Sequence, residues 1–143
     1  MSDVYVVGFD GTGHSQRALD YAATRAKRSG AQLHLVHVLE WSPFSFHTPE
    51  ELAERHKRRE EELARAHGVL QPVVDGLTAD GLTVTSEVRH GHAGELMCEI
   101  AKEKKAAQIV IGRTGESMLA QRLLGGLALT LAQVSPVPVT IVP

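Results

Sequence analysis

The sequence predicts an α/β fold, an open parallel sheet of five strands with helices on both faces. Five short apolar runs recur along the chain: VYVVGF (4–9), AQLHLVHVL (31–39), LTVTSEV (82–88), AQIVIG (107–112) and VPVTIV (137–142). Two of them, VYVVGF and QIVIG, are nearly continuous in Val and Ile, as strands covered on both faces are. Helical stretches separate the runs, and strand–helix alternation implies a parallel sheet.

The first helix is expected over about Ser15 to Ser29. Ala18, Leu19, Ala22, Ala23 and Ala26 give it an apolar face at helical spacing, and Gly30 can supply the left-handed stop. The second opens at Thr48-Pro49-Glu50, with Thr48 as N-cap and Pro49 at the first helical position. Its run ERHKRREEE (54–62) reads as a solvated face with Glu54–Arg58 and Arg58–Glu62 as i,i+4 partners. Pro72 has no N–H to offer the carbonyl of Gly68, so the helix should bend or break there, in two pieces or one kinked piece ending near Asp80-Gly81. The third helix is expected over Ala93 to Lys105, with Lys102, Lys104 and Lys105 at the negative end of its dipole. The fourth starts around Leu124 to Leu127 and stops before Pro136.

A chain of 143 residues, 43% hydrophobic and 22% charged, suits one soluble domain spanning 1–143. Such a domain buries enough surface to need no disulfide or metal staple. The net charge of −2 argues against a nucleic-acid binder. Cys98 is the single cysteine. It reads as a small buried hydrophobe, and the absence of a possible internal disulfide points to a reducing compartment. MSDVYVVGFD lacks the features of a signal peptide, and no apolar run reaches the ~18–20 residues of a membrane span. A cytoplasmic location without a membrane span is the expectation.

In open parallel sheets ligands bind beyond the carboxyl ends of the strands, where the strand order reverses. The segments to examine are therefore FDGTGHS (9–15), HVLEWSPF (37–44), RHGHAGE (89–95) and GRTGESMLAQRLLGG (112–126). Asp10, followed by Gly11 and Gly13, can accept from ribose hydroxyls or hold a metal on a phosphate; it can equally cap the first helix. Gly125-Gly126 opens the fourth helix, where free N–H groups and the helix dipole form an anion site. Gly112 and Gly115 let the preceding loop fold back over that point, and Arg113 and Arg122 can add charge. Close helix–strand packing with two solvated arginines is the competing reading. No GxxxxGK[ST] loop is present, and GTGHSQ lacks the third glycine of a dinucleotide fingerprint. The eight histidines show no zinc spacing; His34 and His37 fall on opposite faces of one strand. WSPFSF (41–46) can lid a base, contact a partner or plug the sheet edge.

Taken together these residues resemble the universal stress protein family. Its nucleotide-binding members carry a motif of Gly, two residues, Gly, nine residues, Gly, then Ser or Thr. Gly112, Gly115 and Gly125 fit that spacing, with ESMLAQRLL between the last two. FDGTGHSQRALDYA is similar to the family's opening segment, HGHAGELM to its G-x-P-A-x-x-I segment, and SPVPVTIVP to its closing strand. The match spans the whole chain. Three positions depart from the pattern. Gly126 stands where Ser or Thr is usual, which removes a hydroxyl whose bond to a charged group is worth about 1.5–3 kcal/mol but keeps the N–H. Gln108 replaces an Asp, and Ala93 a common Pro.

The resemblance implies a Rossmann-like sheet in the order 3-2-1-4-5, of the adenine nucleotide alpha hydrolase type, with the site between strands one and four. It implies ATP, or ADP or AMP, with magnesium. By analogy Asp10 holds ribose or the nucleotide-bound magnesium, and the backbone at Val38 reads adenine. Gly112, Gly115, Gly125 and Gly126 would wrap ribose and phosphates. Arg113 is a further candidate for the terminal phosphate, and Phe9, Gly11, Thr12, Leu39, Ile111, Arg122 and Leu127 complete the expected lining. Family members commonly dimerise through their last strand, here 137–142, where Pro138 suits an edge position. The expected function is a stress-linked, homodimeric, nucleotide-binding regulator with slow or no ATP hydrolysis; only His14 is near enough to be weighed as a base. A dimeric interaction protein of the same fold that binds no nucleotide is the alternative. An unrelated α/β enzyme is the third reading, without a recognisable catalytic set.

Overall fold

Strand β1 (Val4–Gly8) leads into helix α1 (Gly13–Ser29), and the alternation continues through β2 (Gln32–Leu39), α2 (Pro49–Ala79), β3 (Val84–His90), α3 (Ala93–Glu103), β4 (Gln108–Gly112), α4 (Gly126–Val134) and β5 (Val139–Val142). The computed structural model describes residues 2–40, 48–113 and 126–143. The strands form one parallel sheet in the order β3-β2-β1-β4-β5. β1 lies at its centre, and the order reverses between β1 and β4.

Alternation along the strands splits the core into two layers. Tyr5, Val7, Phe9, Leu33, Leu35 and Val110 point toward α1 and α2, where they meet Leu19 and Leu70. Val6, Val36, Ile109 and Ile111 point the other way, against Met97 and Ile100 of α3 and Leu131 of α4. This explains why β1 and β4 carry almost no polar residue: their central three residues are buried on both faces.

Helix α1 starts two residues earlier than its apolar stripe requires. Thr12 is the N-cap, its side chain accepting from the Ser15 N–H, and Gly30 ends the helix at φ 77°. Helix α2 opens with the full capping box, the Glu51 N–H donating to Thr48 Oγ1 at 3.2 Å and the Thr48 N–H to Glu51 Oε2 at 3.1 Å. The Glu54–Arg58 pair forms at 3.0 Å.

Pro72 does not split α2, which runs as one 31-residue helix. Ala66 and Leu70 before the proline are buried, and Val73, Val74 and Leu77 after it pack on the same core. That shared apolar seam holds both halves on the sheet and outweighs one missing backbone hydrogen bond, while the proline itself lies on the exposed side.

α3 ends at Glu103, two residues before the expected Lys105. The Lys105 N–H donates to Lys102 O and the Ala106 N–H to Ala101 O, a Schellman closure with lysine where glycine is usual. Lys105 adopts φ 50°, a conformation that costs an L-residue about 1–2 kcal/mol. Lys105→Gly is therefore expected to stabilise the protein by about 1 kcal/mol, read as a higher urea midpoint at unchanged slope.

Candidate functional site

The carboxyl ends of β1, β2 and β4 surround a cavity of about 320 Å³, within the roughly 300–1,000 Å³ usual for small-ligand sites. Its floor is apolar: Val36 and Val38 from β2, Ile111 from β4, Met97 from α3 and Ala128 from α4. Gly8 closes the floor beneath them, where an added Cβ would stand 3.2 Å from Ile111 and 3.6 Å from Met97. The polar side consists of Asp10, Thr12, His14 and Ser15 at the start of α1, Gly112 and Arg113 after β4, Gly126 and Glu40.

The β1–α1 turn is built around the Asp10 carboxylate. Its Oδ1 accepts from the Thr12 N–H at 3.0 Å, the Thr12 hydroxyl at 2.7 Å and the Ser15 hydroxyl at 2.8 Å. Asp10 thus shapes the turn before α1 without being its cap: the N-cap is Thr12, whose side chain accepts the Ser15 N–H, and Asp10 orients the Thr12 and Ser15 hydroxyls. Burial pushes its pKa up, but the bonds from Thr12 and Ser15 and the nearby His37 hold it below the usual value. Asp10 is an anion at neutral pH.

His14 sits at the first turn of α1 with its backbone against β4. A Cβ on Gly112 would lie 3.0 Å from the His14 carbonyl oxygen, so only glycine lets β4 and α1 approach this closely. Arg17 Nη2 donates to His14 Nδ1 at 2.7 Å. With Nδ1 accepting, the ring proton is on Nε2, and His14 presents a donor there rather than a base.

Of the residues expected at the site, Phe9, Asp10, Thr12, Val38, Ile111, Gly112, Arg113, Gly126 and Leu127 line this one cavity. Gly11 and Leu39 stand outside its lining: Gly11 packs toward Val69 of α2, and the Leu39 carbonyl accepts from the Gly91 N–H. Gly115, Arg122, Gly125 and the WSPFSF segment lie outside the described residues. Sequence reasoning missed Gly8, Ser15, Val36, Glu40, Ala93, Met97 and Ala128 as lining, and weighed His14 only as a base. Val36 and Glu40 were recoverable, because they share the strand face of Val38 at a period of two. Met97 and Ala128 carry no signal beyond ordinary core residues.

Away from the cavity, Cys98 is half-buried, with burial raising its thiol pKa. His34 and His37 do face opposite sides of β2. His34 bonds to Thr85 and Glu87, while His37 lies on the α2 side and interacts electrostatically with Asp10. Burial lowers the pKa of His34, His37 and His90 alike. Each folded value lies below the unfolded 6.5, so the unfolded chain takes up more protons below that pH. The stability these neutral rings contribute is complete above pH 6.5 and is lost as pH falls through their folded values. The urea midpoint is expected to drop between about pH 7 and pH 5, and His37→Gln should make that drop shallower.

The sequence matches the model of the Universal stress protein family over residues 1–143. A universal stress protein of Bacillus subtilis is 27% identical over 149 residues, covering 99% of each chain. One from Methanocaldococcus jannaschii is 30% identical over 139 residues, covering 96% of this chain and 79% of the relative. Universal stress protein UspA from Lactobacillus plantarum has the same fold, with a TM-score of 0.86 at 20% identity over 99% of this chain and 97% of that one. A universal stress protein in complex with cAMP gives a TM-score of 0.69 at 28% identity over 99% and 96%. No helix among the described residues is long and apolar enough to cross a membrane. The chain belongs to the universal stress protein family.

Proposed function

We propose that this chain binds an adenine nucleotide in the cavity between β1 and β4 and acts as a homodimeric, nucleotide-dependent regulator in the cytoplasm. The observation that carries this reading is the division of the cavity into an apolar floor and a polar wall. Val36, Val38 and Met97 suit a flat base. Asp10, Gly112, Arg113 and Gly126 stand where ribose and phosphates would follow. Oδ1 of Asp10 is occupied by the turn; Oδ2 remains to accept from a ribose hydroxyl or to meet a magnesium ion on the phosphates. Backbone N–H groups at the start of α4 suit an anion. The family relative solved with cAMP and another, from Archaeoglobus fulgidus, solved with dAMP support the ligand class. Magnesium would neutralise phosphate charge. The donor tautomer of His14 favours binding over hydrolysis.

The dimer would form through β5, an edge strand whose four residues are all half-buried in the single chain. One observation favours the second reading, a dimeric interaction protein without nucleotide: Gly126 offers no hydroxyl to a phosphate.

Calorimetric titration with Mg-ATP, ADP and AMP separates the two. Saturable binding by the wild type, weakened at least ~10-fold in Asp10→Ala through loss of a charge-assisted hydrogen bond, supports the nucleotide reading. Absence of binding to all three nucleotides supports the second.

A further inference from the structure

The sheet carries a second constellation, on the α3 side of β2 and β3 and outside the cavity. His34 and Thr85 are directly paired across the two strands, and Glu87 lies two residues further along the same face. His34 is 2% exposed, and its ring sits between them. Its Nδ1 is 2.6 Å from Thr85 Oγ1 and its Nε2 is 2.6 Å from Glu87 Oε2. An ionised carboxylate only accepts, so Nε2 carries the ring proton and Nδ1 presents its lone pair to the Thr85 hydroxyl. Glu87 is fixed in turn by Arg89, which bonds its Oε1 and reaches Glu103 at 2.9 Å. Thr85 is exposed.

Hydroxyl, imidazole and carboxylate are thus linked with the polarity that nucleophile activation requires: an accessible hydroxyl, a base within bonding reach, and a third group orienting the base. Neutrality of the base follows from its surroundings. Burial lowers the His34 pKa most; Glu87 opposes that, and Lys104 and Arg89 reinforce it.

We propose that Thr85 is an activated nucleophile, with His34 as its general base and Glu87 as the positioning residue, and that it accepts an acyl group from an activated ester. Thr85 Oγ attacks the carbonyl carbon, and an Oγ–C bond forms. Its proton passes to His34 Nδ1, and the imidazolium is held by Glu87. The bond to the leaving alkoxide or aryloxide breaks, and that group departs with the electron pair and takes the proton from His34. The products are O-acylthreonine and a free alcohol or phenol. Lys104 adds positive potential at His34.

The test uses the full chain and 4-nitrophenyl acetate, following nitrophenolate release and mapping the acetyl group by peptide mass spectrometry. One acetyl on Thr85 is expected, with labelling slowed about 100-fold or more in His34→Gln, as for loss of a general base. Thr85→Val should leave only background release, and Thr85→Ser should be labelled at the same position. Glu87 raises the His34 pKa, so Glu87→Gln should move the pH midpoint of labelling downward, which a purely structural role would not do. Should His34→Gln fail to fold, Glu87→Gln and Thr85→Val decide the matter. Acetyl groups confined to lysines, or Thr85 labelled at an unchanged rate in a folded His34→Gln, would overturn the proposal.

Discussion

Replacing Gly112 with alanine is expected to cost about 1–3 kcal/mol of stability, as overpacking does, and to weaken nucleotide binding more than tenfold. The cause is a backbone contact. The added Cβ would stand 3.0 Å from the His14 carbonyl oxygen, 3.2 Å from its carbonyl carbon and 3.3 Å from its Cβ. None of these atoms is the end of a flexible side chain, so β4 and the first turn of α1 must separate. Both line the cavity, and the phosphate side widens with them. Gly13 is the matched control. A Cβ there meets nothing nearer than Arg17 Nη1 at 3.9 Å, so Gly13→Ala should leave binding intact. Denaturant unfolding and calorimetric titration of both variants check the pair. Equal affinity in the two would mean that the close approach at Gly112 serves packing alone.

Gly94→Ala is expected to destabilise the protein by about 1–3 kcal/mol. Gly94 is buried in the first turn of α3, where an added Cβ would lie 2.7 Å from Thr130 Cγ2 of α4. Thr130 is β-branched and stiff at χ1, so it yields poorly. The one contact under 3.0 Å is with that methyl group, which serine lacks. Thr130→Ser should recover much of the loss when combined with Gly94→Ala, giving a coupling of about 0.5–3 kcal/mol in a double-mutant cycle. Additive effects would show that α3 and α4 readjust without that contact.

These two glycines mark what was legible in the sequence. Gly112 ends a Val/Ile run at a position where a chain segment must turn over a site, and its spacing to Gly115 carried a family motif. Gly94 has no such context; its role depends on how α3 crosses α4, which no local pattern encodes. The same contrast runs through the fold. β1 and β4 were readable because burial on both faces leaves an unbroken apolar run. The sheet order was not readable from periodicity and came with the resemblance. Pro72 misled because local backbone chemistry predicts a bend, while the seam of Ala66, Leu70, Val73, Val74 and Leu77 acts over the whole helix. Thr12 was overlooked as the cap because the apolar stripe of α1 begins later than its hydrogen bonding. At the site, Asp10 was found by its place after a strand. Met97 escaped because its Cβ faces the sheet like any core residue, and only the strand order puts it at a cavity floor.

A nucleotide held in the cavity between β1 and β4, as proposed, should remain bound through purification. The most direct measurement denatures freshly purified protein and resolves the supernatant by ion-exchange chromatography. Near-stoichiometric ATP or ADP is the predicted result, and it would show that the backbone at Gly126 suffices without a hydroxyl. An empty supernatant, together with no titration signal at millimolar Mg-ATP, would contradict the account.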